Sequence, residues 1–481
     1  MRTKTMVAKT TLLAFFLCTM LDQATTLIAR TNTPRPAPLE SAFAGDGDVS
    51  PAALKPLEMP LRDLDPVELL GADLPELIGK PPSGIVAFRF DAAWRQIPVQ
   101  IDERKKDSLA RIRGRTGRSR DVTALVYADP GTVTGPDLDT AFDADDELVF
   151  MFRDAGNRAP KGDPDGVQPG SRLELRISDA VTGQHRYVYL FISDRTLSSD
   201  AGQDYVHYNF HLLSGDVCGK GPNPENSFVT TSRYRNHFSD RWVHDGTEIL
   251  VDGAPGVNIL DRDKFQFRPG ICSRTTDTFS RGAGAFIANI DGPVRAIRSV
   301  IGANSGALTQ RDWICYEGRM AVRTYLRVHP IRGTWWFYDF SPAARGMVYY
   351  DNLNPEGKTV DGQPDQAQTG RLQWQFITGS QGSLTMTWLI DTNIPDIQHD
   401  SYYFDDVKPS WSQCTGDPFA YAASGPATGG LPNTDGGSSN FLSMTRVVHY
   451  DGPNGGLERA RGRITAAQSP LLVENTADKD L

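Results

Sequence analysis

The chain has 481 residues, 39% of them hydrophobic and 23% charged, and these ordinary globular values exclude wholesale disorder. That length holds one large β domain or two medium ones, and 45 glycines with 32 prolines favour turns and strands over long helices. A formal net charge of −9 argues against a nucleic-acid partner, whose phosphates demand a basic surface.

Residues 1–29 have the form of a secretory signal. Arg2, Lys4 and Lys9 precede an apolar run from Thr11 to Leu21, and Asp22 and Gln23 follow it. The run is too short to span a bilayer, and no later stretch reaches that length. Export to the periplasm or the medium is therefore expected. Loss of this segment removes three basic residues and one acidic residue, taking the formal charge from −9 to −11. Cys18 lies inside it. The remaining Cys218, Cys272, Cys315 and Cys414 form an even set in an exported chain, which predicts two disulfides in one of three pairings. Their wide spacing does not suit a zinc knuckle.

Residues 30–80 read as a linker punctuated by Pro34, Pro36, Pro38, Pro51, Pro56 and Pro60. Asp65-Pro66-Val67-Glu68 ahead of Leu69 and Leu70 has the pattern of a helix start, with a capping residue, a first-turn proline and an acid. A smaller β domain is expected over 81–200, where Leu173, Leu175 and Ile177 alternate with Glu174 and Arg176 and form a hairpin with Tyr187–Ile192. A larger β domain is expected over 201–460. Its clearest hairpin pairs Leu372, Trp374 and Phe376 with Leu384, Met386, Trp388 and Ile390. Further strands are expected at Val294–Ile301, Ala321–Val328, Thr334–Phe340 and Phe441–Tyr450. Residues 424–440, rich in Gly, Ser, Pro and Asn, are expected to loop, and 461–481 to form a tail. Many strands and few helical periods predict a mainly β fold, an antiparallel β-sandwich that extends to a large super-sandwich, with few short helices.

The stretch Arg95–Glu103 (RQIPVQIDE), followed by Asp143–Asp154 (DADDELVFMFRD), resembles the opening of exported bacterial β-sandwich proteins associated with pectin and rhamnogalacturonan breakdown. The likeness spans residues 95–154 and carries over no catalytic residue.

Three constellations could carry chemistry. Asp137, Asp139, Asp143, Asp145, Asp146 and Glu147 crowd one turn, and Asp143 and Asp145 begin like a calcium loop, because hard cations take several carboxylate oxygens. The loop lacks the expected glycine and closing glutamate, so a solvated acidic turn is the simpler reading. His207, Asn209 and His211 share a strand parity, with His237 and His244 as further metal-ligand candidates. Arg323, Tyr325, Arg327 and His329 share one parity, and Val322, Thr324, Leu326 and Val328 the other, so a strand there shows one polar face and one apolar face. A guanidinium fork suits a carboxylate, and tyrosine and histidine transfer protons. Arg295, Arg298, Asn304 and Arg311 could enlarge this face, and Trp335 could stack on a sugar. Asp312, Glu317 and Asp339 are candidates for a glycosidase carboxylate pair. Surface ion pairing of the arginines is the plainer alternative. There is no P-loop, H-E-x-x-H or dinucleotide fingerprint, so no nucleotide cofactor is expected. Gly302–Gly306 has its serine one place too late for a nucleophile elbow.

The reading that follows is an exported protein that acts on or binds an acidic polysaccharide, a lyase more than a hydrolase. Tyr325 or His329 is the candidate base, and Arg323, Arg327, Arg298 and Trp335 the substrate contacts. A non-catalytic carbohydrate-binding protein and a structural envelope protein are the alternatives, since β-sandwiches host all three.

Overall fold

The computed structural model describes residues 59–114, 122–199, 201–251, 254–268, 274–303, 306–327, 331–408, 419–432 and 440–476. The signal segment, His329, Cys272 and Cys414 lie outside them. Among the described residues no helix is long and apolar enough to cross a membrane.

Period-two patterning produces antiparallel pairing between the strands. Ten strands make the largest sheet, whose centre runs Ala283–Asp291, Ala296–Ala303, Gly306–Cys315, Arg319–Arg327, Phe441–Asp451, Gly382–Thr392 and Trp374–Gly379. Two four-stranded sheets oppose it: Leu260–Arg268, Gly333–Phe340, Ala420–Gly429 and Gln398–Asp406 form one, and Val206–Asn209, Ser227–Thr231, Tyr234–Asp240 and Val243–Ile249 the other. Their inner faces meet in one core, where Phe238, Phe265, Trp336 and Tyr338 pack with Trp313, Met320, Leu326 and Met444. Tyr234 stacks on Tyr450 at 3.8 Å between ring centres. This is the sandwich the periodicity predicts.

Residues 66–192 build a second, smaller pair of sheets. Ile85–Phe90, Trp94–Ile97, Leu173–Ser178 and His185–Ile192 share a five-stranded sheet, which the C-terminal strand Leu472–Asn475 completes at its edge. Pro66–Leu70, Glu147–Met151 and Gln100–Asp102 form the facing sheet, and Ile85, Leu148, Phe150, Leu175 and Val188 fill the space between. The expected tail over 461–481 takes in most of the helix Leu457–Gln468 as well as that edge strand, which pairs with Leu175–Ser178.

Two local expectations are overturned. Pro66–Leu70 is a strand paired with Met151–Glu147, not a helix; Val67 and Leu69 reach the smaller core, and that burial outweighs the capping pattern. Ala420–Gly429 is a buried central strand running into the expected loop. Its small residues fit because the neighbouring strand leaves no room: a Cβ on Gly425 would lie 1.9 Å from the Trp336 carbonyl oxygen. The expectation of two disulfides fails, because Cys315 is a free, buried thiol, which leaves room for at most one bridge among the other three cysteines. Cys315 faces the core, and burial pushes its thiol up to about 12.

His449 shows how the elements lock together. It is fully buried under the C-terminal helix, with Asp65 at 3.7 Å, Arg319 directly opposite on the next strand, and Arg463 from the helix nearby. Burial, helped by the two arginines and opposed by Asp65, lowers its pKa to about 4. A base depressed in this way contributes stability that is complete above the unfolded value near 6.5 and is lost as pH falls toward 4. Going from pH 7 to 4.5 should therefore cost the wild type about 2 kcal/mol more than it costs His449→Gln. Equal pH slopes in urea unfolding of the two proteins would remove this account.

Candidate functional site

The strand Arg319–Arg327 alternates as its sequence requires. Val322, Thr324 and Leu326 are buried, while Arg323, Tyr325 and Arg327 are half-exposed on the face that looks away from the sandwich core. Across one edge Asp312 stands opposite Arg323 and Gln310 opposite Tyr325; across the other stand Thr445 and Ser443. One polar patch results, with Tyr325 between two guanidiniums.

The first guanidinium is anchored. Arg323 Nη2 donates to Glu68 Oε2 at 3.3 Å, and the Tyr316 hydroxyl donates to Glu68 Oε1 at 2.6 Å. Beside it Arg295 donates to Asp102 at 2.8 Å and to Glu147 at 2.6 Å, and Arg104 donates to Glu147 at 2.6 Å. Tyr127 donates to the same carboxylate at 2.8 Å. Glu68, Asp102 and Glu147 come from the smaller pair of sheets, so this network joins it to the large sheet. Three carboxylates balance three guanidiniums. Burial disfavours the Glu147 anion, but Arg295 and Arg104 more than offset it and hold its carboxyl at about 2.

The second guanidinium lies farther along the strand. Arg327 Nη2 is 3.5 Å from Gln310 Oε1, and its guanidinium carbon is 5.8 Å from the Tyr325 ring centre. Burial pulls Arg327 below the usual arginine range, while Tyr325 and Asp312 work in the other direction. Asp312 accepts from Ser299 at 2.5 Å and Gln310 at 3.1 Å, and burial pushes its carboxyl up. Burial also raises the Tyr325 phenol; Arg323 opposes this and Asp312 adds to it.

Other expected members are elsewhere. Arg298 points into the core, bidentate on Glu225 at 2.9 and 2.6 Å and 4.5 Å from the Phe238 ring centre. It cannot meet a ligand on the outer face. Arg311 is likewise buried inside. Trp335 belongs to the opposite layer and packs on Tyr402 at 5.4 Å. Asp339 pairs with Lys264 and Glu317 with Arg153, so neither joins Asp312 in a carboxylate pair. His207 is exposed beside Asp204 at 3.5 Å, whereas His244 is fully buried.

Asp143 and Asp145 sit in a turn held by its own backbone. Asp143 Oδ1 accepts the Asp145 N–H at 2.8 Å, and Asp146 accepts the N–H groups of Arg104 and Asp143, both at 2.9 Å. Burial and the neighbouring Asp143 and Asp146 raise the Asp145 carboxyl to about 6; burial and Asp146 raise Glu103 to about 7. Among the described residues, no three His, Cys, Asp or Glu side chains are grouped to hold a metal ion.

Sequence reading missed Glu68, Asp102 and Tyr316 as partners of the polar face. The available signal was an acid inside a buried apolar strand, which requires a counter-charge.

No family model matches the chain, and no curated protein matches it. Among solved structures, a glycosyl hydrolase family 38 protein from Enterococcus faecalis is similar at 8% identity and a TM-score of 0.40, over 86% of this chain and 46% of that one. A putative aldose 1-epimerase from Escherichia coli K12 is similar at 13% identity and a TM-score of 0.26, over 50% of this chain and 99% of that one. The chain spans about half the length of the first of these, and no activity follows from either likeness.

Proposed function

We propose that the polar face of Arg319–Arg327 binds an acidic carbohydrate after export of the protein, and that its chemistry suits β-elimination next to a uronate carboxylate. The observation that carries this reading is Tyr325, half-exposed between Arg323 and Arg327 on one strand face. Such a reaction needs a positive partner for the carboxylate and a base for the adjacent proton. Arg327 supplies the first and Tyr325 the second. The resemblance of residues 95–154 to pectin-associated proteins supports the same substrate class.

A second reading has its own observation. The Arg323–Glu68 pair serves the join between the two halves of the molecule, and a face built only for that join would bind nothing. Arg327→Ala separates the two. A ligand site should lose tenfold to a hundredfold in affinity for an oligouronate, with an unchanged melting temperature. A purely structural face should lose stability and show no uronate binding in the wild type. Titration calorimetry against a panel of uronate oligomers, paired with thermal melts, makes the comparison.

A further inference from the structure

The four-stranded sheet of Val206–Asn209, Ser227–Thr231, Tyr234–Asp240 and Val243–Ile249 buries one face in the core through Val206, Tyr208, Val229, Tyr234 and Phe238. Its other face looks outward, on the layer opposite the strand Arg319–Arg327. Phe228, Arg235, His237 and Glu248 stand half-buried there around a groove of about 260 Å³, which Gly246 and Asn258 complete. That volume approaches the lower end of small-molecule sites. The strand pairing is irregular at this point: register shifts between His237 and Phe238, and again before Asp240, mark bulges of the kind that re-aim side chains. His237 Nδ1 lies 2.7 Å from Asp245 Oδ1, and Nε2 lies 3.1 Å from Asn226 Oδ1. Burial disfavours the Asp245 anion, but His237, Ser239 and Arg262 more than offset it and hold the carboxyl below its usual range. An ionised carboxylate only accepts, so Nδ1 carries a proton and the ring is fixed as one wall of the groove. Gly246 pairs with His237 across the strands, and a Cβ there would lie 2.8 Å from the His237 Cβ, so glycine keeps the space beside the ring open.

Two groups in the groove keep hydrogen-bonding capacity for a ligand. The Arg235 guanidinium carbon lies 3.7 Å from the Phe228 ring centre, and its Nη1 lies 4.0 Å from Glu248 Oε1. That gap is too wide for a hydrogen bond, and among the described residues neither side chain makes another. A hydroxyl both accepts and donates, so hydroxyls on neighbouring carbons can span a donor fork and a carboxylate at this separation. Charge selects against ions. Asp245 and Glu248 oppose an anion, while Arg235, and Arg262 at 3.4 Å from Asp245, oppose a cation. Phe228 and Gly246 offer apolar surface to the C–H groups of a ring.

We propose that this groove binds one ring of an uncharged sugar, with neighbouring hydroxyls held between Arg235 and Glu248. The site lies on the other layer from the polar face and stands whether or not that face binds a uronate. The test uses the full chain with isotopically labelled histidine rings and follows the His237 resonance, identified by its loss in His237→Gln. The methyl pyranosides of glucose, galactose, mannose and xylose are the probes, and methyl galacturonate carrying its free carboxylate is the charged control. At least one neutral pyranoside should shift the His237 resonance saturably, and the charged sugar should bind more weakly. Arg235→Ala and Glu248→Ala lie on the solvent side of the sheet, and each should weaken that binding roughly tenfold to a hundredfold, the worth of a hydrogen bond to a charged group. A His237 resonance unmoved by all four pyranosides would overturn the proposal. So would a charged sugar that binds as tightly as the neutral ones, or wild-type affinity in either alanine variant.

Discussion

Replacing Arg295 by methionine is expected to lower the unfolding free energy by roughly 3–5 kcal/mol. The side chain is wholly buried and donates to Asp102, Glu147 and the Tyr316 hydroxyl. Methionine fills comparable space but leaves Asp102 and Glu147 facing each other without their shared cation. Breaking one partner out of a buried ion network costs far more than the network contributes net, because a desolvated charge is stranded. The variant should also change its acid response. In the wild type Glu147 is held at about 2, so its contribution is present above the unfolded value near 4.5 and is lost as pH falls toward 2. Without Arg295 that carboxyl should favour the proton, and the variant should regain part of its deficit as pH is lowered from 7 to 5. Adding Asp102→Asn and Glu147→Gln should recover stability at neutral pH by removing the stranded charges. Urea unfolding of the single and triple variants at pH 7 and 5 measures all of this. A loss under 1 kcal/mol for Arg295→Met would show that the network does not hold the two halves together.

Tyr325→Phe should reduce turnover of a uronate polymer by about 10²–10⁴-fold, the usual worth of a positioned general base. The change keeps the ring beside Arg327 and removes only the hydroxyl, so binding and stability should hold. The pH profile adds a second test. Burial raises the phenol above its ordinary range, with Arg323 opposing. The active form of a base is the deprotonated one, so kcat/KM should climb steadily from neutral pH into the alkaline range. Absorbance of the unsaturated product follows both readings. If the phenylalanine variant retains wild-type turnover, Tyr325 is not the base, and His329 becomes the next candidate to substitute.

Much of the strand content was legible because it is written locally. Alternation alone placed Leu173–Ile177 against Tyr187–Ile192, and the hairpin at Gly379–Gly382, as the registers bear out. It also placed Arg323, Tyr325 and Arg327 on one face, since a strand's side chains alternate whatever lies next to it. Where composition stood in for pattern, the reading failed: residues 424–429 read as a loop, yet they continue the strand Ala420–Gly429, in which Gly425 lets the chain lie close against the Trp336 carbonyl.

Charge placement depended on the tertiary structure. Periodicity separates two faces of a strand but does not say which is wet, and here arginines occur on both. Arg298 and Arg446 turn inward because carboxylates 73 and 183 residues away in the chain wait there, among aromatic rings that shield them. Arg323 finds Glu68 across 255 residues. Each is a long-range pairing in which the cost of desolvating a guanidinium is met by a specific distant acid. Local sequence records the arginine, and only the folded chain brings the acid that decides its orientation.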